Sequence, residues 1–177
     1  MEGDAGEFML HFASKAQAFV LAREGYDVWL GNNRGCKYSV NHTTLSPERD
    51  AAKFWDFDFE DMGLKDVPAE IDYIKNLTGA QKVTYLGHSA GATQMVVGLS
   101  LMPEYYASNL NLFVALGPAT RSKHTKSVYF RKNAEMLEFF KFLVIDILQL
   151  YNFYEPNFYD TLVKLLLLKL LPEYFDW

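Results

Sequence analysis

The fold is decided by the stretch Lys82-Val83-Thr84-Tyr85-Leu86-Gly87-His88-Ser89-Ala90-Gly91, in which a β-rich run meets a G-x-S-x-G pattern. The run Lys82–Gly87 is predicted to be a strand, and Ala90–Leu101 is predicted to be a helix. Between a strand and a helix, this pattern is typical of a nucleophile elbow, a strained turn that exposes a serine hydroxyl at the C-terminal edge of a sheet. Ser89 is therefore the candidate nucleophile.

The residues around Ser89 also have expected roles. Gly87 and Gly91 flank it because side chains there would collide with the neighbouring helix and strand. The backbone N–H of Ala90 is the candidate donor to the oxyanion that forms when Ser89 attacks an ester carbonyl. His88 is expected to leave the turn in another direction and to serve in packing and hydrogen bonding rather than as a base. The alternative is a tight strand-to-helix turn that happens to hold serine.

Outward from the elbow, short β-rich runs alternate with helical patterns, which favours an α/β fold with a parallel sheet flanked by helices. Tyr26–Leu30 and Leu112–Leu116 are predicted to be further parallel strands of the same sheet. A helix is predicted from Val67 to the glycine at position 79, with a proline in its first turn.

The composition changes after Lys123, where aromatic residues become frequent and the pattern is helical throughout. Glu135–Tyr151 and Asp160–Leu171 are the best helix candidates in this part. Two structural units are therefore predicted, residues 1–122 with α/β character and residues 123–177 with helices only.

Charge and hydropathy exclude two classes of partner. The net charge is −5 and no basic stretch is present, which argues against binding to nucleic acid. The most apolar stretch, Leu162–Leu171, is about ten residues long and contains two lysines, whereas a bilayer span needs about 20 apolar residues. No transmembrane segment is predicted. Neither a metal site nor a cofactor is expected.

The compartment is only weakly indicated by the residues. Cys36 is the single cysteine, so an internal disulfide is excluded. Asn41 and Asn76 begin N-x-T sequons, which are glycosylation acceptors in the secretory route. The first residues show no basic segment followed by an apolar one, so no signal peptide is visible. Either the protein is cytosolic or its true N-terminus is absent.

Several stretches besides the elbow form a recognisable series: Glu24–Gly35 (EGYDVWLGNNRG), Phe54–Met62 (FWDFDFEDM), Asp66–Ala69, Ile71–Ile74 and Asn111–Pro118. Together they resemble the acid lipases, the gastric and lysosomal family of α/β hydrolases. The resemblance extends from about Ala18 to Ser127, in order and at family-like spacing. The resemblance implies a partial α/β-hydrolase fold in residues 1–122 and the start of a helical cap, or lid, in residues 123–177.

The resemblance also implies a function. A lipase-like carboxylic ester hydrolase would act on acylglycerols or sterol esters through an acyl-enzyme on Ser89. The implied partner is a lipid ester, with the cap as a candidate contact for a membrane or lipid-droplet surface, and the implied location is lysosomal or secreted. A thioesterase or other α/β hydrolase is disfavoured by the signature Trp29–Gly35.

Two positions depart from the family pattern. The family usually has glutamine after the serine, and this chain has Ala90, whose backbone N–H survives the change. Phe8–His11 resembles a shortened family strand that ends in His-Gly and leads to the oxyanion loop. Phe12 stands where that glycine would be, so the second oxyanion donor is in doubt and His11 is at most a remnant of the motif. An ordinary apolar N-terminal segment explains the same residues.

The catalytic triad of this fold follows the order serine, acid, histidine. After Ser89 the only histidine is His124, and no aspartate lies between them. We therefore expect an incomplete copy of the enzyme, no histidine ring within about 3 Å of the Ser89 hydroxyl and very poor ester hydrolysis. The alternative is a non-catalytic truncated relative that binds lipid or protein.

Overall fold

The computed structural model describes residues 4–121, 123–147 and Tyr151. The described residues form two compact units, one within Met1–Thr44 and Asp56–Thr120 and the other within Leu45–Trp55 and Arg121–Trp177.

In chain order the elements are a 3₁₀ helix Ala5–Met9, α1 Gln17–Arg23, α2 Ala51–Phe54, α3 Phe59–Asp61, a π-helix Met62–Asp66, α4 Val67–Thr78, β1 Val83–His88, α5 Ala90–Leu101, α6 Pro103–Asn109, β2 Leu110–Leu116, α7 Val128–Lys141 and a π-helix Phe142–Ile147.

The sheet of the first unit has two parallel strands among the described residues, β1 and β2. The pairing runs from Thr84 opposite Leu112 to His88 opposite Leu116, after an irregularity between Val83 and Thr84. These two strands confirm the predictions made for Lys82–Gly87 and Leu112–Leu116. A helix connects each pair of parallel strands in such a fold, and here α5 and α6 make the connection.

The third predicted strand is not formed. Tyr26–Leu30 has no strand pairing, and the segment before it is a 3₁₀ helix, Ala5–Met9, rather than the strand expected at Phe8–His11. A β-strand needs a backbone ladder with a neighbouring strand, and neither segment forms one among the described residues. The strand predicted at Tyr26–Leu30 is therefore wrong, and of the two interpretations of Phe8–His11 the structure excludes the strand.

The helices packed on the sheet follow from their sequences. Pro68 lies in the first turn of α4, and Gly79 ends the helix at a φ of 73°, with its N–H donating to the carbonyl of Lys75 at 2.9 Å. The core of the unit is a cluster of fully buried side chains on α4, α5 and α6: Val67, Ile71, Met95 and Tyr106. The helix predicted after Val67 and the helix predicted after Ala90 are confirmed.

The regular elements of the second unit are all helices where the structure describes it. Ser127 caps α7 by accepting the N–H of Phe130 on its side chain, and the following π-helix buries Val144. These elements confirm the helical pattern predicted from Glu135 as far as Ile147, whereas the helix predicted at Asp160–Leu171 lies outside the described residues. No helix in the described part of the chain is long and apolar enough to cross a membrane.

Candidate active site

Ser89 occupies a tight turn between the end of β1 and the start of α5. Its backbone has φ 48° and ψ −109°, a left-handed conformation that side chains rarely adopt. Such a conformation costs about 1–3 kcal/mol and persists only where the surrounding structure enforces it. The predicted strand–turn–helix arrangement around Ser89 is confirmed.

Backbone hydrogen bonds fix the turn from both sides. The N–H of Ser89 donates to the carbonyl of Leu116 at 2.9 Å, one residue beyond the last paired position of β1. The carbonyl of Ser89 accepts the N–H groups of Ala92 and Thr93, both at 3.1 Å, and the Thr93 hydroxyl at 3.2 Å. The serine is thus held by the sheet on one side and by the first turn of α5 on the other.

The N–H of Ala90 has no acceptor among the residues that the structure describes. Ala90 is the first residue of α5, and the first N–H groups of a helix have no partner within the helix. An unpaired N–H beside a serine hydroxyl, at the positive end of the helix dipole, suits an anion such as the oxyanion of an acyl-transfer intermediate.

The two elbow glycines differ in their surroundings. A Cβ on Gly87 would lie 2.7 Å from the carbonyl carbon and oxygen of Gly91 and 2.8 Å from the nitrogen of Ala92, all backbone atoms that cannot move aside. A Cβ on Gly91 would meet only the Tyr85 hydroxyl, at an ordinary 3.8 Å. The expected collision is therefore confirmed at Gly87 and wrong at Gly91, because the space beside Gly91 is open.

His88 makes a polar contact that the sequence did not indicate. Its Nδ1 lies 3.1 Å from a carboxylate oxygen of Glu7, in the 3₁₀ helix at the start of the chain. Both side chains are about half exposed, at 53% and 43%. His88 thus has a polar partner other than Ser89, and its expected packing role stays a prediction. No local pattern could have identified Glu7, which is 81 residues away.

Within the described part of the first unit, the Ser89 hydroxyl has no histidine as a hydrogen-bond partner. His88 contacts Glu7, and Nδ1 of His42 accepts the N–H of Thr44 at 3.1 Å. His11 is exposed, at a strained φ of 89°. His124 belongs to the second unit and is exposed. The role of His11 as a remnant of the oxyanion motif stays a prediction.

A loop before the sheet carries an ion pair that anchors it to the helices. The guanidinium of Arg34 contacts the carboxylate of Asp66 at 2.6–3.1 Å, and the Arg34 backbone N–H donates to the same carboxylate at 3.1 Å. Asp66 is mostly buried, with 12% of its side chain exposed. The pair raises the pKa of Arg34, which stays charged.

A second acidic group, Glu70 on α4, lies against the same loop. Its carboxyl oxygens occupy the space where a Cβ on Gly31 would be, close to the backbone N–H of Asn32. Burial raises the pKa of Glu70 to about 7, and the nearby charge of Asp66 adds to the rise. The sequence indicated this loop only as part of a family signature. It did not indicate Asp66 and Glu70, the acidic residues that contact the loop, which lie 32 or more residues further along the chain.

The described residues contain no group of three or more histidine, cysteine, aspartate or glutamate side chains arranged to hold a metal ion. Cys36 is buried, and its thiol lies 3.6 Å from the side-chain oxygen of Asn32.

Residues 11–139 match the model of the family described as alpha/beta hydrolase fold. The chain is 43% identical over 126 residues to Lipase 1 of Drosophila melanogaster, a match that covers 71% of this chain and 28% of the relative. It is 36% identical over 156 residues to gastric triacylglycerol lipase of Homo sapiens (88% of this chain, 37% of the relative). It is 41% identical over 115 residues to human lysosomal acid lipase/cholesteryl ester hydrolase (65% and 28%). The matches thus span between 28% and 37% of these relatives.

Proposed function

We propose a lipase-like ester hydrolase function for this chain, which belongs to the α/β-hydrolase fold family. Its similarity to gastric and lysosomal acid lipases supports lipid esters, either acylglycerols or sterol esters, as the substrate class. The observation that carries the proposal is the left-handed backbone of Ser89 at the junction of β1 and α5, beside the unpaired N–H of Ala90.

In the proposed reaction, the Ser89 hydroxyl oxygen attacks the ester carbonyl carbon while its proton passes to a base. The carbonyl oxygen becomes an oxyanion that accepts the N–H of Ala90. The intermediate then collapses, the alcohol leaves with a proton, and the acyl group remains on Ser89 until water releases it as a carboxylic acid.

Proton transfer from Ser89 to a base is the step that limits this chemistry in the 177-residue chain. Among the described residues of the first unit, no histidine hydrogen-bonds to Ser89, and the sequence contains one histidine after it. In serine hydrolases, removing triad members costs up to about a million-fold in turnover. Loss of one oxyanion donor costs roughly a further 100- to 1,000-fold.

We therefore expect the purified 177-residue chain to hydrolyse a short-chain nitrophenyl ester at a rate near background. Ser89→Ala is the control, because it removes the nucleophile and keeps the turn. Ser89-dependent turnover of about 1 s⁻¹ or more would contradict this expectation and show that a base is available elsewhere in the chain.

Acylation tests the nucleophile separately from turnover. An activated ester such as nitrophenyl acetate has a good leaving group, so a weakly activated serine can still attack it, and slow deacylation lets the acyl-enzyme accumulate. Intact mass spectrometry and peptide mapping should find the acetyl group on Ser89 and none on the corresponding peptide of Ser89→Ala. Equal labelling of the two proteins outside this peptide, with none on Ser89, would refute the proposed nucleophile.

A second candidate is a non-catalytic relative that binds lipid or protein. The absence of a histidine bonded to Ser89 in the described first unit favours it. The transcript separates the two candidates. A reading frame that continues with an aspartate followed by a histidine would support the enzyme, and a stop codon directly after Trp177 would support the binding module.

The two relatives named for the stomach and the lysosome support a secreted or lysosomal location, which we include in the proposal. The sequon asparagines, Asn41 and Asn76, are both exposed, as glycan acceptors must be. When the protein with its natural N-terminus is produced in animal cells, N-glycosidase treatment should lower its mass. An unchanged mass would count against this location.

A further inference from the structure

A buried amide on α5 connects the two arms of the elbow. Gln94 is 3% exposed and lies five residues after Ser89. Its Nε2 donates to the Tyr85 hydroxyl at 2.8 Å, and this hydroxyl donates to the carbonyl of Gly91 at 3.0 Å. Tyr85 is on β1, before the serine, and Gly91 is on α5, after it. The side chains of Gln94 and Tyr85 therefore link the strand before the turn to the helix after it.

The same amide also reaches the segment before the sheet. Its Oε1 accepts the side-chain N–H of Asn33 at 2.5 Å, and its Nε2 donates to the side-chain oxygen of Asn33 at 3.2 Å. The glutamine amide thus uses both donors and its acceptor, as a buried amide must to avoid a desolvation cost. The paired amides tie the loop at Asn33 to the first turns of α5.

The direction of each hydrogen bond in this network is fixed. Gly91 offers a carbonyl, which can only accept, so the Tyr85 proton points toward it and the Gln94 amide must donate to Tyr85. Burial raises the pKa of Tyr85, so the hydroxyl keeps its proton and its donor role across the physiological range. A network whose directions are fixed in this way specifies a single arrangement of its members.

We propose that Gln94, Tyr85 and Asn33 are positioning residues for Ser89, which act by fixing the Gly91 peptide and with it the first turn of α5. The proposal rests on the proposed function, because Ser89 must be a nucleophile for its position to affect a rate. None of the three residues contacts the reacting atoms. Their effect passes through the Gly91 carbonyl, two residues after the serine, and the N–H of Ala90 between them.

Tyr85→Phe is the variant that tests the proposal most directly, because it removes one hydroxyl and keeps the ring. Tyr105→Phe is its matched control. The Tyr105 hydroxyl also lies within hydrogen-bond distance of a backbone carbonyl, that of Pro68 at 3.1 Å, and its single proton can go either there or to the carboxylate of Asp72 at 2.8 Å, but it is not connected to the elbow. The measurement is the rate of Ser89 acetylation by nitrophenyl acetate, followed by mass spectrometry well below each protein's unfolding temperature.

We expect Tyr85→Phe to slow acetylation about tenfold or more, since small misplacements of reacting groups have effects of this size. Tyr105→Phe should stay within about twofold of the wild-type rate even where the two variants lose similar stability. If Tyr85→Phe does not fold, Asn33→Ala takes its place, because Asn33 lies at the outer end of the network. Equal rates in the elbow variant and the control would overturn the inference.

A pH profile adds a readout that a purely structural role would not move. In Gln94→Glu, the introduced carboxyl can donate to the Tyr85 hydroxyl only while it is protonated. The acetylation rate relative to wild type should therefore be close to one at acidic pH and fall as the carboxyl ionises. A ratio that does not change with pH would contradict the network.

The same rates distinguish a failure of the positioning role from a failure of Ser89 as the nucleophile. A wild-type chain that takes up no acetyl group on Ser89 overturns both. A wild-type chain that is acetylated on Ser89, with the same rate in Tyr85→Phe, overturns the positioning role alone.

Discussion

Two regions of the first unit are held in place by different interactions. From β1 to β2, the backbone makes the contacts, through the parallel ladder and the close approach of Gly87 to Gly91. The stretch Tyr26–Gly35 has no ladder, and its contacts with the helices are made mostly by side chains. The ring of Trp29 packs edge-on against Tyr73, with centroids 6.2 Å apart, and further along the loop lie the ion pair and the paired amides.

The difference indicates which substitutions each region tolerates. Where backbone meets backbone, an added methyl group has no space, whereas many changes of outward side chains leave the contacts intact. Where side chains carry the contacts, the loss of one polar group leaves its buried partner unsatisfied. Both statements can be tested with paired variants.

The largest effect is expected at the backbone contact of the elbow. Gly87→Ala places a Cβ 2.7 Å from the Gly91 carbonyl group, and we expect it to lower the free energy of unfolding by about 3 kcal/mol. Gly91→Ala, where the Cβ fits, should be neutral or stabilise the helix by up to about 1 kcal/mol. Urea unfolding measures both. Equal losses in the two variants would show that backbone contact does not distinguish these positions.

A smaller loss is expected in the region held by side chains. Asp66→Asn removes the charge that Arg34 contacts and should cost about 2 kcal/mol, since breaking a fully buried pair costs about 3–5 kcal/mol and Arg34 is partly exposed. Asp61→Asn is the control, because Asp61 forms an exposed pair with Lys65 one turn away, worth roughly 0.5 kcal/mol or less. A similar loss in the two variants would mean that the loop does not depend on its ion pair.

The smallest effect depends on pH and concerns Glu70. Its pKa is raised from an ordinary 4.5 to about 7, so the folded state binds the proton more tightly than the unfolded state. The contribution of Glu70 to stability is therefore full below about pH 4.5 and is lost as pH rises through about 7. Glu70→Gln should remove this dependence, and its advantage over wild type should grow by about 1–2 kcal/mol between pH 5 and pH 8. Parallel stability curves for the two proteins would exclude a raised pKa.

The elbow and its helices could be predicted because their signals are local. A β-rich run, a G-x-S-x-G pattern and a helical run stand next to one another, and Pro68 and Gly79 mark the ends of α4. Tyr26–Leu30 has the composition of a strand, but whether a strand forms depends on a neighbour from elsewhere in the chain. That dependence has no local signal, so the prediction for this segment was wrong.

The polar contacts of the site could not be predicted for the same reason. Asn33 and Gln94 are 61 residues apart, and Glu7 and His88 are 81 apart. Resemblance to the acid lipases identified the segment that contains Asn33 as important. It did not indicate that Asn33 pairs with Gln94.

The hydrogen bond from the Ser89 N–H to the Leu116 carbonyl has a consequence for the order of events during synthesis. Ser89 leaves the ribosome before its partner, which is 27 residues further along the chain. At ordinary synthesis rates, Leu116 follows roughly 1 to 5 s later. During that interval the growing chain can form the helical turn after the serine, but the strand that anchors the turn has not yet arrived. The geometry of the Ser89 turn is therefore completed by the pairing of β2, and we expect the amide of Ser89 to become protected from hydrogen exchange only when that strand docks.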